Sequence, residues 1–361
     1  MSNFFNDLVE KIKDDDTHIV ADGLGSAEFS GYIDTGSYIL NAVLSGSIYG
    51  GVANNKVTAF AGEQATGKTF FAMGVVQQFL LDNPDGGVIY FDTEAAVTRD
   101  MMDSRGIDTT RVVVSEPDTI QKFRHVCLNI IDKYTDTPEK DRKPMLMVLD
   151  SLGQLSSSKE MEDTADGKDT RDMTKAQLIK ATFRVINLKL AKIGVPLIVT
   201  NHVYAAVGSY IPTNEIAGGS GLKYTASTIA MLGKKKDRDG TDVVGNIIKV
   251  TMYKSRLSKE NKRVEVKLSY KTGLDRYYGL VDIAVKHGIF NKVSTRVELP
   301  DGTKTFEKSI YKEPEKYFTK DILDLIDKAA KKEFAYGEEH TDTDVEEEYE
   351  SSDTTLPDNR E

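Results

Sequence analysis

The stretch "GEQATGKT", Gly62 to Thr69, matches G-x-x-x-x-G-K-[ST] at every fixed position. It follows the apolar run "KVTAF" and opens "KTFFAMGVVQQFLLD", where Phe71, Val75, Val76 and Phe79 fall at helical spacing. Such a loop turns its backbone N–H groups toward phosphate, and the helix behind it adds the positive end of its dipole. Gly62, Glu63, Gln64, Ala65, Thr66 and Gly67 would form the cradle. Lys68 would place its charge between the outer phosphates, and the Thr69 hydroxyl would ligate Mg²⁺. The expected ligand is a nucleoside triphosphate.

Three further apolar runs end in polar residues. "MLMVLD" ends in Asp150, "VIYFDTE" in Asp92 and Glu94, and "PLIVTNH" in Thr200, Asn201 and His202. Groups at the carboxyl ends of strands in an open sheet face the ligand crevice. Asp150 is the expected partner of Mg²⁺, through water; the plainer alternative is a strand-end cap. Period two puts Asp92 and Glu94 on one face. Glu94 lies beyond the strand and is long enough to reach a bound water, so it is the candidate base. His202 abuts the expected γ-phosphate position and could sense it, although a lone His is usually structural.

These groups need a rigid frame. From Lys56 to His202 the chain alternates apolar runs with helical patterns, "TIQKFRHVCLNIIDKY" and "MTKAQLIKATFRVINLKLAK" among them. That order predicts an α/β fold, a P-loop NTPase core whose mainly parallel, twisted sheet carries helices on both faces. "STIAMLG", "NIIKVTMYKS" and "RVEVKLSY" lack intervening helices and read as a partly antiparallel extension of the sheet. Helical patterns in "YYGLVDIAVKHGIF" and "YFTKDILDLIDKAAKKEF", with a hairpin in "TRVELPDGTKTF", predict a small C-terminal subdomain. "FFNDLVEKIKDDD" puts Phe4, Phe5, Leu8, Val9 and Ile12 near one face of a short helix, before the Gly-rich "ADGLGSAEFSG". That helix either folds back or docks on a neighbouring copy. The expected divisions are 1–30, 31–272, 273–337 and 338–361.

The chain has 361 residues and a net charge of −10. Residues 338–361 hold 11 acidic residues and one basic, Arg360, which leaves 46 of each sign elsewhere. The whole imbalance therefore sits in a tail expected to be disordered. It is a solubility device or a polyanion that competes with another polyanion, and net charge is no argument against nucleic acid as a partner. Neither a leader-like N-terminus nor an apolar run of membrane-spanning length is present, and the single Cys127 suits a reducing, cytosolic setting.

Taken in order, "GEQATGKT", "FDTE", "VLDS", "VTNH" and "GGSGLKYTAS" resemble the RecA-type recombinases. "FDTEAAV", "DSLG", "DMTKAQ", "NHVY", "KSRLSKENK" and "GLDRYYGLVD" look like the phage UvsX branch of that family. The likeness runs from about Ile33 to Phe290 and more weakly to Phe334. It implies a RecA-type core and a phage-encoded protein acting in the host cytoplasm. It also implies that Glu94 activates water and that His202 is the γ-phosphate switch, where RecA carries Gln. Lys254 and Arg256, which alone read as surface strand charges, fall where RecA has two basic residues that reach the ATP of the next protomer. Met101 stands where an aromatic usually stacks on adenine, a departure from the family pattern.

Family members hold single-stranded DNA on two mobile loops, expected here near Gly153–Thr170 and Val203–Ala217. The first is net acidic and the second has no Lys or Arg, so loop charge alone argues against DNA. Tyr204 and Tyr210 could stack on bases, and Val207 or Ile211 could wedge between them. Gly218, Gly219 and Ser220 match the family's phosphate-binding turn. Lys180 and Arg184 share a helix face; Arg184 matches a DNA-contacting arginine, whereas RecA has a small hydroxyl residue at the Lys180 position. The resulting expectation is a DNA-dependent ATPase that uses ATP and Mg²⁺, forms helical filaments on single-stranded DNA, and pairs it with homologous duplex. Single-strand-binding and loader proteins are expected partners, and no membrane is. The rivals are a ring helicase of the same superfamily and a nucleotide-switched assembly of the KaiC kind.

Overall fold

Strands that are apolar along most of their length suit burial on both faces, and four such strands build the centre of this molecule. In the computed structural model, which describes residues 4–12, 17, 31–168, 172–205, 214–239 and 242–337, Val57–Gly62 is buried throughout. The sheet runs, edge to edge, Val112–Ser115, Gly87–Asp92, Met145–Asp150, Leu197–Ala205, Val57–Gly62, Thr228–Asp239, Asp242–Ser255, Arg263–Ser269 and Gly273–Leu274. The first six are parallel. From Thr228–Asp239 onward the pairing is antiparallel, as expected for runs with no crossover helix.

Alternate residues feed two cores. Phe60, Tyr90, Leu146, Val148 and Ile198 point to one side, where helices Tyr38–Ser45 and Lys68–Asp82 cover them. Ala59, Phe91, Met147, Leu149 and Val199 point to the other, against helices Ile120–Asp136 and Lys175–Lys192. Edge-on rings at the centroid distances of 5.5 Å for Phe60–Phe71 and 5.0 Å for Phe91–Phe123 lock a helix to each face. With both faces packed, all parallel strands deliver their carboxyl ends to one rim.

The expected elements after Gly273 form: helices Leu280–Lys286 and Lys320–Phe334, and a hairpin of Arg296–Glu298 with Lys304–Thr305. A third short strand, Asn291–Val293, joins the hairpin. Ile283, Phe290, Ile326 and Phe334 share one core with Leu40 and Phe60. The Asp327 carboxylate accepts from the Ile48 N–H at 2.9 Å, and the Tyr336 hydroxyl donates to the Ser255 carbonyl at 3.0 Å. Near the N-terminus, Phe4–Ile12 is a helix with no buried residue. The linker that follows and the tail 338–361 lie outside the described residues, apart from Thr17. No described helix is long and apolar enough to cross a membrane.

Candidate active site

The strand–loop–helix unit is built tightly around its glycines. Gly67 has φ +89°, and a Cβ there would stand 2.7 Å from Leu268 Cδ2. A Cβ on Gly62 would stand 2.6 Å from Thr66 Oγ1 and 2.7 Å from the Leu232 carbonyl. Ala65 takes φ +58°, a left-handed value uncommon outside glycine. The Thr66 hydroxyl donates to the Glu63 carbonyl at 2.9 Å and closes the loop. A cavity of about 400 Å³ opens above it, lined by Gln64, Ala65, Gly67, Lys68 and Thr69 from the loop. Glu94, Met101, Asp150 and His202 line the same cavity, so three strand ends and the short helix Arg99–Asp103 meet the loop.

Within it, charged and polar groups form a chain. The Lys68 ammonium donates to the Gly62 and Glu63 carbonyls at 3.2 and 2.9 Å and lies 3.4 Å from His202 Nδ1. His202 Nε2 is 3.0 Å from Glu94 Oε1, and the Ser151 hydroxyl donates to that oxygen at 2.7 Å. A neutral imidazole with its hydrogen on Nε2 satisfies both neighbours, accepting from Lys68 and donating to Glu94. Burial pushes the Glu94 carboxyl up, but hydrogen bonds from Ser151 and His202 and the charge of Lys68 outweigh it, so the group sits below its ordinary value. Burial lowers the Lys68 ammonium; Glu94 and Asp150 oppose that and Lys234 adds to it.

Asp92 departs from expectation. The strand stops at Asp92, so period two does not carry to Glu94. The Asp92 carboxylate instead accepts from the Glu94 and Val97 N–H groups at 3.1 and 3.0 Å, and so folds the loop that presents Glu94. Asp150 accepts from Tyr90 and Thr200. The donor set suits a hard cation bound together with phosphate. Thr69 offers a hydroxyl, Asp150 a carboxylate, and the described residues contain no group of three or more His, Cys, Asp or Glu that could hold a metal alone. Thr69 and Asp150 would hold such an ion.

Sequence reasoning missed part of the wall. Lys234 and Lys236, Asn246, and Leu268 and Tyr270 face the loop from the antiparallel strands, and Lys234 donates to the Gln64 carbonyl at 3.4 Å. The run "GKKKD" carried a usable signal, since period two puts Lys234 and Lys236 on one face. Nothing in the sequence says that this face meets the loop; sheet order does.

Lys254 and Arg256 do not line the cavity. The Lys254 ammonium donates to the carbonyls of Lys223, Tyr224 and Ala226 at 2.7, 3.2 and 2.8 Å, and Arg256 Nη2 donates to that of Tyr224 at 3.4 Å. They cap the carboxyl end of helix Ser220–Thr225, which opens after Gly218 and Gly219, both at positive φ. Lys180 and Arg184 are exposed on Lys175–Lys192, and the Lys180 ammonium lies 5.7 Å from the centroid of the Tyr224 ring. In the described part of the first expected loop, a turn at Leu152–Gln154 leads into helix Ser158–Ala165, held by a Ser157–Glu160 capping box, while positions 169 and 170 lie outside the described residues. The ends of the second pair as an antiparallel ribbon, Val203 with Ile216 and Tyr204 with Glu215; Tyr204 is 60% exposed. Val207 and Tyr210 lie outside the described residues.

An open parallel sheet with a phosphate loop at its carboxyl rim and an antiparallel extension defines a nucleotide-binding P-loop protein of the RecA type. The chain belongs to the RecA family: a profile of the RecA N-terminal domain matches residues 17–275. It is similar to the recombination and repair protein of Enterobacteria phage T4, 30% identical over 254 residues, or 70% of this chain and 63% of that protein. It is also similar to protein RecA of Pseudarthrobacter chlorophenolicus, 29% identical over 262 residues, 72% of this chain and 70% of that one. RecA of Malacoplasma penetrans is 26% identical over 306 residues, 82% and 88% of the two chains. The resemblance read from the motifs is borne out.

Proposed function

We propose that this protein is a DNA-dependent ATPase that forms filaments on single-stranded DNA and pairs it with homologous duplex in recombination and repair. The observation that carries this reading is the division of cations. Lys68, Lys234 and Lys236 line the cavity with Glu94 and Asp150, while Lys254 and Arg256 stand outside it. A second copy that brings its Lys254 and Arg256 over the loop, with Lys254 released from the three carbonyls it caps within its own chain, would supply positive charge where the transition state needs it. Glu94 is the base, His202 reports the phosphate, and Thr69 and Asp150 hold Mg²⁺, which neutralises charge on the phosphates when bound. Lys180, Arg184, the Gly218–Gly219–Ser220 turn and Tyr204 are the DNA-facing groups, and Val207 and Tyr210 join them. Met101 covers the base in place of an aromatic. Residues 31–272 are the working core, with 1–30 as the link to a neighbour, 273–337 as a small appendage and 338–361 as an acidic tail. Single-strand-binding and loader proteins would deliver it to DNA in the host cytoplasm.

One relative is named a recombination and repair protein and the others are named RecA, which weighs against the ring-helicase and KaiC-type readings. Steady-state ATP hydrolysis with and without single-stranded DNA tests the proposal. A rate that rises with DNA is expected; a rate indifferent to DNA would contradict it.

A further inference from the structure

Asp150 is only 5% exposed, and both of its oxygens are already engaged. The Tyr90 phenol donates to Oδ2 at 2.7 Å, and the Thr200 hydroxyl donates to Oδ1. Neither donor belongs to the phosphate loop, neither lines the cavity, and both are fully buried.

Sheet register explains how they converge. Tyr90 lies opposite Val148 on one flanking strand, so it is the diagonal neighbour of Asp150 on the same face, within reach of a long aromatic side chain. On the other flank, Thr200 follows the Leu149–Val199 pair by one residue and so comes alongside Asp150. Hydroxyls are otherwise scarce in these strands, where Val88, Phe91, Ile198 and Val199 are all buried. Phe and Val would pack in the two places without any polar group to desolvate.

We propose that Tyr90 and Thr200 are positioning residues that clamp Asp150 from both sides, so that its remaining lone pairs face the cavity to receive a metal-bound water. This rests on the nucleotide-binding reading above. It differs from a purely structural role in what it predicts for magnesium. Hydroxyl donors behind a ligating carboxylate act on metal affinity, where their loss costs about 10- to 100-fold. They should not act on binding of the nucleotide without metal.

Binding of a fluorescent ATP analogue to the full chain, measured in EDTA and across a Mg²⁺ titration, separates the cases. Tyr90→Phe and Thr200→Val should bind as the parent does in EDTA, yet need about tenfold more Mg²⁺ for half-maximal tight binding. Thr200→Ser should restore the parent curve. An unchanged Mg²⁺ requirement in folded variants would overturn the clamp, as would an equal loss with and without metal. If Tyr90→Phe does not fold, the Thr200→Val and Thr200→Ser pair decides alone. Failure of the parent chain to bind the analogue at all would instead overturn the nucleotide reading on which the clamp depends.

Discussion

Glu94 is held low by two hydrogen bonds and a nearby ammonium, and that has a measurable consequence. A base works only when ionised, so hydrolysis should persist on the acid side until pH falls below the ordinary carboxylate range. Removing the His202 donor with His202→Ala takes away one of the interactions that lower Glu94. The acid limb of the pH–rate profile should then move up in pH; an unmoved limb would mean that His202 does not act on Glu94. Glu94→Gln keeps the shape and removes the base, so turnover should drop about 100-fold or more while nucleotide binding stays. At this scale the sequence was informative where a motif fixes spacing: the loop, Glu94, Asp150 and His202 all line one cavity. It was silent where strand order decides. Lys234, Asn246 and Tyr270 come from strands and a strand end that only sheet order brings to the loop.

At the scale of elements, one lysine links two sites. Lys254 spends its ammonium on three carbonyls that end helix Ser220–Thr225. Burial, and then the charge of Arg256, lower its ammonium. Lys254→Met leaves those carbonyls uncapped and should lower stability by about 1 kcal/mol. It should also weaken single-stranded DNA binding, read by fluorescence anisotropy, more than Arg256→Ala does. Equal effects would separate the cap from DNA. A second element junction is electrostatic. Glu333 on the last helix is 8% exposed and meets the ammonium groups of Lys262 at 3.0 Å and Lys286 at 2.9 Å. Burial alone would raise its carboxyl, but the two lysines bring it down to about 2. A carboxyl lowered in the fold stabilises it above the ordinary carboxylate pKa, and that contribution fades as pH falls toward about 2. Glu333→Gln should cost about 2 kcal/mol at neutral pH and little in acid, measured by denaturant titration at both. The helices and strands were legible from periodicity because each has one or two buried faces. The first DNA loop was not, since the helix Ser158–Ala165 is charged and short and is held by its capping box.

At the scale of the whole molecule, the N-terminal helix has its apolar residues but no core to put them in. Phe4 is 71% and Phe5 62% exposed, and Leu8 and Ile12 are exposed as well. Removing residues 1–28 should leave the core folded but abolish assembly with ATP and DNA, seen as unchanged sedimentation when both are added. Assembly at the parent level would mean that the helix is not the link. No pattern within a single chain states which surface of another copy it meets. Complementation tests most directly whether a neighbour completes the nucleotide site. Glu94→Gln lacks the base but keeps Arg256; Arg256→Ala keeps the base but cannot serve the next copy. Each alone should hydrolyse ATP poorly on single-stranded DNA, and their mixture should recover turnover above the sum of the two. A mixture no faster than that sum would contradict completion of the site by a neighbour.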